Sequence, residues 1–149
     1  MSLLILLDSG PLGMITHPKP TNENLDCTNW LQHRLAQGDR IFIPEIIDYE
    51  IRRELIRANK RTGLRNLNNL ISTLEYLPLS TAAMRQAAEF WAYARKNGIP
   101  TASSTALDVD VILAAQAATL FNPNVVIATT NAKHLSRFYD AKLWQEIEG

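Results

Sequence analysis

Leu3-Leu4-Ile5-Leu6-Leu7-Asp8-Ser9-Gly10-Pro11 is the stretch on which the fold turns. The apolar residues run without a break, so they do not read as the alternating face of a half-exposed strand. Asp8 ends the run far short of a membrane span, and no basic leader or small-residue cleavage site surrounds it, so a signal peptide is not expected. The run predicts a strand buried on both faces, as in a parallel sheet, that ends in an acidic turn at Asp8-Ser9-Gly10-Pro11.

Outward from that strand, strands and helices alternate. Residues 12–24, rich in Pro, Asn and Thr, predict a loop, and the Gly10-Pro11-Leu12-Gly13 stretch predicts that any first helix starts late. Leu25, Trp30, Leu31 and Leu35 mark a helix that Gly38 ends. Ile41-Phe42-Ile43 predicts a strand, and Pro44 sits where a helix can begin, since its missing N–H would be unpaired there. Ile46, Ile47, Ile51, Leu55 and Ile56 form one stripe of a helix from about Glu45 to Lys60. A second helix follows from about Leu64 to Leu74, then a strand from Tyr76 to Leu79. Ser80 or Thr81 caps a long helix that Gly98-Ile99-Pro100 stops. A polar loop is expected over 101–107, a helix from Val109 to about Phe121 opened by Asp108, and a strand from Val125 to Ala128. The tail predicts a short strand or helical turn around Trp144. This alternation predicts one domain over residues 1–149, an α/β three-layer α/β/α sandwich whose mainly parallel central sheet has four or five strands.

Composition narrows the class. The chain has 149 residues, 46% of them hydrophobic, enough to bury a core without staples. Cys27 is the single cysteine, which rules out an internal disulfide and a cysteine-rich zinc site and suits a reducing cytoplasm. Lys and Arg together number 15 and so do Asp and Glu, so the formal charge is zero. That neutrality hides a basic stretch of Arg52, Arg53, Arg57, Lys60, Arg61 and Arg65.

The chemistry is expected at the carboxyl edge of the sheet, where open parallel sheets bind ligands. Two strands end in polar residues there, at Asp8-Ser9 and at Thr129-Thr130-Asn131. Glu50 interrupts the apolar stripe of its helix, and Asp108 and Asp110 open the charge-free helix that follows. Each acid has an ordinary alternative. Asp8 suits an Asx turn, Glu50 an exposed pair with a nearby base (a role Glu54 fits equally), Asp108 a helix cap, and Asn131 the cap of the next helix. One cap is enough, however, which leaves Asp110 the least explained. Several carboxylates gathered at one edge repel one another unless a cation neutralises them. Such a site takes a hard ion, Mg²⁺ or Mn²⁺, and suits phosphodiester hydrolysis by an activated water.

These pieces resemble the PIN domain family, and most closely its VapC-type toxin ribonucleases. Leu6-Leu7-Asp8-Ser9 resembles the strand-terminal Asp with its hydroxyl neighbour. Ile43 to Arg52 resembles the second motif, with Glu50 as its acid, and Asp110-Val111-Ile112-Leu113-Ala114-Ala115-Gln116-Ala117 resembles the third. Ala128-Thr129-Thr130-Asn131 followed by His134-Leu135 resembles the last, although Asn131 stands where Asp is common. The resemblance implies a Mg²⁺- or Mn²⁺-dependent endoribonuclease, a homodimer, and inhibition by a co-encoded antitoxin. It implies Asp8, Glu50 and Asp110 as core metal ligands, and Asp108 and Asn131 as accessory groups that hold the ion through water or place the nucleophilic water. Ser9 and Thr130 would orient them.

Arg52, Arg53 and Arg57 follow Glu50 and are candidates for a phosphate track, against the plainer reading of a solvated helix face. His134 is a weaker candidate for phosphate. The aromatic residues Trp30, Trp91, Tyr93 and Trp144 are expected mainly in the core or an interface. No membrane partner is expected. A non-catalytic RNA- or protein-binding module of the same fold is the principal alternative. A phosphoryl-accepting domain is disfavoured because Asp8 has no acidic neighbour, and no GxGxxG or Walker loop suggests a nucleotide enzyme.

Overall fold

A computed structural model describes residues 2–98 and 104–148. Five strands form one wholly parallel sheet: β1 (Leu4–Leu7), β2 (Arg40–Pro44), β3 (Glu75–Leu77), β4 (Val125–Thr129) and β5 (Ala141–Leu143). Their spatial order is β3-β2-β1-β4-β5. Every residue of β1 is buried. Because successive side chains point to opposite faces, both faces of the sheet are therefore covered. The order reverses between β1 and β4, the switch point at which an open parallel sheet forms a crevice.

Seven helices are present among the described residues: α1 (Ser9–Thr16), α2 (Asn22–Ala36), α3 (Glu45–Arg57), α4 (Arg61–Thr73), α5 (Thr81–Lys96), α6 (Ser104–Ala118) and α7 (Ala132–Leu135). A 3₁₀ turn over Trp144–Glu146 follows β5, so the strand and the turn expected around Trp144 are both present.

Three local expectations are corrected. Residues 12–24 are not one loop. α1 begins at Ser9, directly after the strand, with Asp8 as its N-cap. Pro11 fits inside that first turn because the N–H it lacks would have no intrahelical partner there. Gly10 is needed for a different reason: a Cβ there would meet the Thr130 side chain at 2.5 Å. α2 then starts at Asn22, capped by Thr21, whose hydroxyl accepts from the Asn24 N–H at 3.2 Å. The third correction concerns α6, which begins at Ser104, so Asp108 lies inside the helix and is not its cap. Residues 101–103 of the expected polar loop, and Ile99 and Pro100 of the expected helix stop, lie outside the described residues.

α6 is apolar on nearly every side because it is enclosed on two. Val109, Leu113 and Ala117 belong to the main core with β1 and β4, while Leu107, Val111 and Ala115 pack with Ala83, Ala87 and Ala94 of α5. A helix hydrophobic all round is a buried helix. At the amino-terminal edge of the sheet, Arg34 and Asp39 form a buried ion pair at 3.3 Å, and Asp39 Oδ1 accepts from the Leu3 N–H at 2.9 Å. This pair fastens the end of α2 to the start of β1.

Candidate functional site

Asp8 stands at the end of β1 with both carboxylate oxygens engaged. Oδ1 accepts from the Ser9 N–H at 2.7 Å, and Oδ2 accepts from the Thr129 hydroxyl at 2.7 Å. The first contact is the capping role that the sequence allows. The second is not local: β1 and β4 are paired in parallel register, Leu7 opposite Ala128, which brings Thr129 level with Asp8. Thr129 Oγ1 also accepts from the Asn131 N–H at 3.1 Å, so one buried hydroxyl ties the acid to the following turn.

Glu50 and Asp110 come to the same place from two helices. Asp8 and Glu50 both raise the pKa of Asp110, and Asp8 raises that of Glu50. Burial is the larger cause in each case. It pushes Asp110 up to about 7 from its ordinary 3.8 and raises Glu50, with the like charges adding to it. Burial also raises Asp8, partly offset by its hydrogen bonds to Thr129 and Ser9. The Ser9 side chain leans towards Glu50 as well and offsets part of its rise, yet Glu50 Oε1 stays buried with no hydrogen-bond partner. Residues far apart in sequence thus share one negative field.

The pairs Arg34–Asp39, Arg40–Glu75, Arg52–Asp48 and Arg57–Glu54 all lie elsewhere. Arg53 lowers the Glu50 pKa through its charge, while its guanidinium sits over the Tyr49 ring at 5.0 Å.

Among the described residues, no three His, Cys, Asp or Glu side chains close into a ready-made cage for a metal ion. The acids nonetheless fit a hard divalent cation. Mg²⁺ typically keeps several waters and takes only one or two carboxylates, so a closed protein cage is not what it requires. The orphaned Glu50 oxygen and the mutually raised carboxyls mark a donor set that a cation would stabilise.

The remaining residues singled out in the sequence are scattered. Ser9 is between Asp8 and Glu50 and interacts with both. Asp108 stands apart: it is exposed and lines a shallow groove with Met84, Trp91 and Ile112. Two residues along a helix turn the side chain by about 200°, so Asp108 and Asp110 face different ways. Thr130 and Asn131 are exposed. Thr130 packs over Gly10, and Asn131 caps α7 with a long 3.4 Å contact to the Lys133 N–H. The hydroxyl on Asp8 is that of Thr129, not that of its neighbour Thr130, the residue expected to orient the acids.

Part of the basic stretch is committed to the fold. Arg52 pairs with Asp48 at 3.0 Å and bonds Asn68 at 2.9 Å, and Tyr76 donates to the same Asp48 at 2.8 Å. Arg57 pairs with Glu54 at 2.9 Å. A groove of about 860 Å³ leads away from Ser9 and Glu50, past Ile51 and Leu55, to Arg57, Lys60 and Arg61. His134 is partly exposed with a buried, unpartnered Nδ1. Trp144 is buried and meets Trp30 edge-on at 5.8 Å, as expected of core aromatics, but Trp91 and Tyr93 are exposed.

No protein-family model matches the sequence, and no curated protein matches it. Solved structures do match in fold. One is a chain of VapBC2 from Rickettsia felis, solved bound to a DNA fragment from the promoter, at TM-score 0.73 and 17% identity over 95% of this chain and 99% of that one. A second is VapBC-1 from nontypeable Haemophilus influenzae, at TM-score 0.71 and 18% identity over 97% and 100%. A third is DNA-bound VapBC from Salmonella typhimurium, at TM-score 0.67 and 22% identity over 95% and 98%. The fold is therefore the PIN-like α/β fold that the sequence motifs resemble. No helix among the described residues is long and apolar enough to cross a membrane.

Proposed function

We propose that the chain is a Mg²⁺- or Mn²⁺-dependent endoribonuclease, the toxin of a toxin–antitoxin pair. The observation that carries this reading is the convergence of Asp8, Glu50 and Asp110 at the switch point, each with a pKa raised by burial and, for Glu50 and Asp110, by the neighbouring carboxylates. Asp8, Glu50 and Asp110 would hold the ion directly or through water. When bound, such an ion lowers the pKa of a water and screens the charge that develops on a phosphodiester. Thr129 and Ser9 hold Asp8 in one rotamer, so its free lone pairs are aimed before any ligand arrives. Asp110, whose pKa burial and the neighbouring carboxylates raise to about 7, would be held in its charged form by such a cation.

Single-stranded RNA would lie along the groove from Glu50 to Arg57, Lys60 and Arg61, with backbone phosphates facing the bases. Arg52 contributes less than its position in sequence suggests, since Asp48 and Asn68 hold it. The toxin assignment rests on the fold likeness to chains of VapBC complexes. That these neighbours were solved as complexes also supports an antitoxin as partner. A homodimer and a cytoplasmic site of action follow from the family resemblance.

The test is cleavage of a single-stranded RNA with Mn²⁺ and with chelator, in the natural protein and in Asp8→Asn and Asp110→Asn. Metal-dependent products in the first, absent from both variants, are expected. Equal, metal-independent products in all three, or binding without cleavage, would favour the alternative of a non-catalytic module.

A further inference from the structure

α3 starts without a cap of its own. Its N-cap position is Pro44, whose side chain offers no acceptor, so the first N–H groups of the helix need a partner from elsewhere. Gln116 supplies one. Its Oε1 accepts from the Ile46 N–H at 3.3 Å, and its Nε2 donates to Leu77 O at 2.9 Å and Pro78 O at 3.4 Å. Gln116 is 2% exposed and is the polar exception among the buried residues from Leu113 to Ala117 of α6. A buried amide is costly unless its donors and acceptor are all used, and here each end of the amide is bonded.

Gln116 therefore joins the two acid-bearing helices. Ile46 is one turn before Glu50, on the same side of α3, and Gln116 follows Asp110 by six residues, about 9 Å along α6. We infer that Gln116 is a positioning residue: its amide sets α3 against α6 and so fixes where the Glu50 and Asp110 carboxylates stand relative to each other. The inference rests on the metal-site reading above. The hydrogen bonds of Gln116 go to backbone atoms of Ile46, Leu77 and Pro78 and to neither carboxylate, so its effect passes through the two helices.

The test compares Gln116→Met, close in shape but unable to make these bonds, with Leu31→Ala, a core change in α2 away from the acids. Mn²⁺ affinity is measured by calorimetry, and amide hydrogen exchange is measured on the metal-free protein. Gln116→Met is expected to weaken Mn²⁺ binding about tenfold, the scale typical of groups that support metal ligands. It is also expected to speed exchange at Ile46 while the sheet amides keep their protection. Leu31→Ala is expected to lower Tm and leave Mn²⁺ affinity unchanged. If Gln116→Met does not fold, Gln116→Asn, one methylene shorter, takes its place with a loss of about tenfold expected. Unchanged Mn²⁺ affinity in the folded variant overturns the inference, as does an equal loss in Leu31→Ala. If the natural protein binds no Mn²⁺, the metal reading fails separately and exchange decides the rest. Faster exchange at Ile46 then supports the setting of α3 against α6, and unchanged exchange overturns it.

Discussion

The Thr129 hydroxyl donates to Asp8 Oδ2 at 2.7 Å, joining the ends of two neighbouring parallel strands that are 121 residues apart in the chain. The contact is partly buried and charge-assisted, and it holds one carboxylate of the candidate site in a single orientation.

Thr129→Val keeps the shape and removes this bond. A hydrogen bond to a charged group contributes about 1.5–3 kcal/mol, so activity is expected to fall about tenfold or more, with the fold retained. RNA cleavage rates read beside a thermal melt check this. Thr130→Val, on the exposed neighbour, is expected to change the rate far less.

The pH dependence of the metal-free protein has a definite sign. The Asp110 carboxyl titrates at about 7 in the folded chain, against its ordinary 3.8 once unfolded, so between these values the folded chain binds the extra proton. Stability is therefore expected to fall as pH rises from about 4 to about 7 and to stay reduced above it, with Asp8 and Glu50 adding in the same direction. Melts at about pH 5.5 and about pH 8 in chelator test it. Asp110→Asn is expected to narrow the difference, and a protein more stable at the higher pH would contradict the shift.

Asp108 and Asp110 are two residues apart and point to different surroundings. Asp108→Asn is expected to leave Mn²⁺ affinity within about twofold of the natural protein, whereas Asp110→Asn loses it by about tenfold or more. Calorimetric titration of both separates them.

The Arg34–Asp39 pair is buried on both sides, at 4% and 5% side-chain exposure. Removing one partner of such a pair costs about 3–5 kcal/mol, because it strands the other charge. Arg34→Met is expected to lower the urea midpoint by a corresponding amount. Arg34→Met with Asp39→Leu should recover part of the loss, the remainder being the Leu3 N–H that Asp39 also serves.

Much of the fold is legible in the sequence because the deciding patterns are local. The apolar run from Leu4 to Leu7 needs no tertiary information to read as a doubly covered strand, and the charge-free run after Asp110 reads as a buried helix in the same way. What escapes a sequence reading depends on neighbours in space. Residues 12–24 read as a loop because they are rich in Pro, Asn and Thr, and Gly10, Pro11 and Gly13 argue for a late helix start, yet packing of the buried Pro11 and Leu12 overrides these propensities. Thr129 and Thr130 are chemically alike, and only the register of β4 on β1 decides which hydroxyl meets Asp8. Arg52 reads as a free cation because charge counting along the chain does not show that Asp48, one helical turn away, holds it.

The most direct measurement is a Mn²⁺ titration of the natural protein followed by its diffraction at the manganese edge. One ion among the oxygens of Asp8, Glu50 and Asp110, with at least two within about 2.0–2.3 Å, is the expected result. Saturating Mn²⁺ that leaves those three carboxylates without an ion, or an ion bound only elsewhere, would contradict the site.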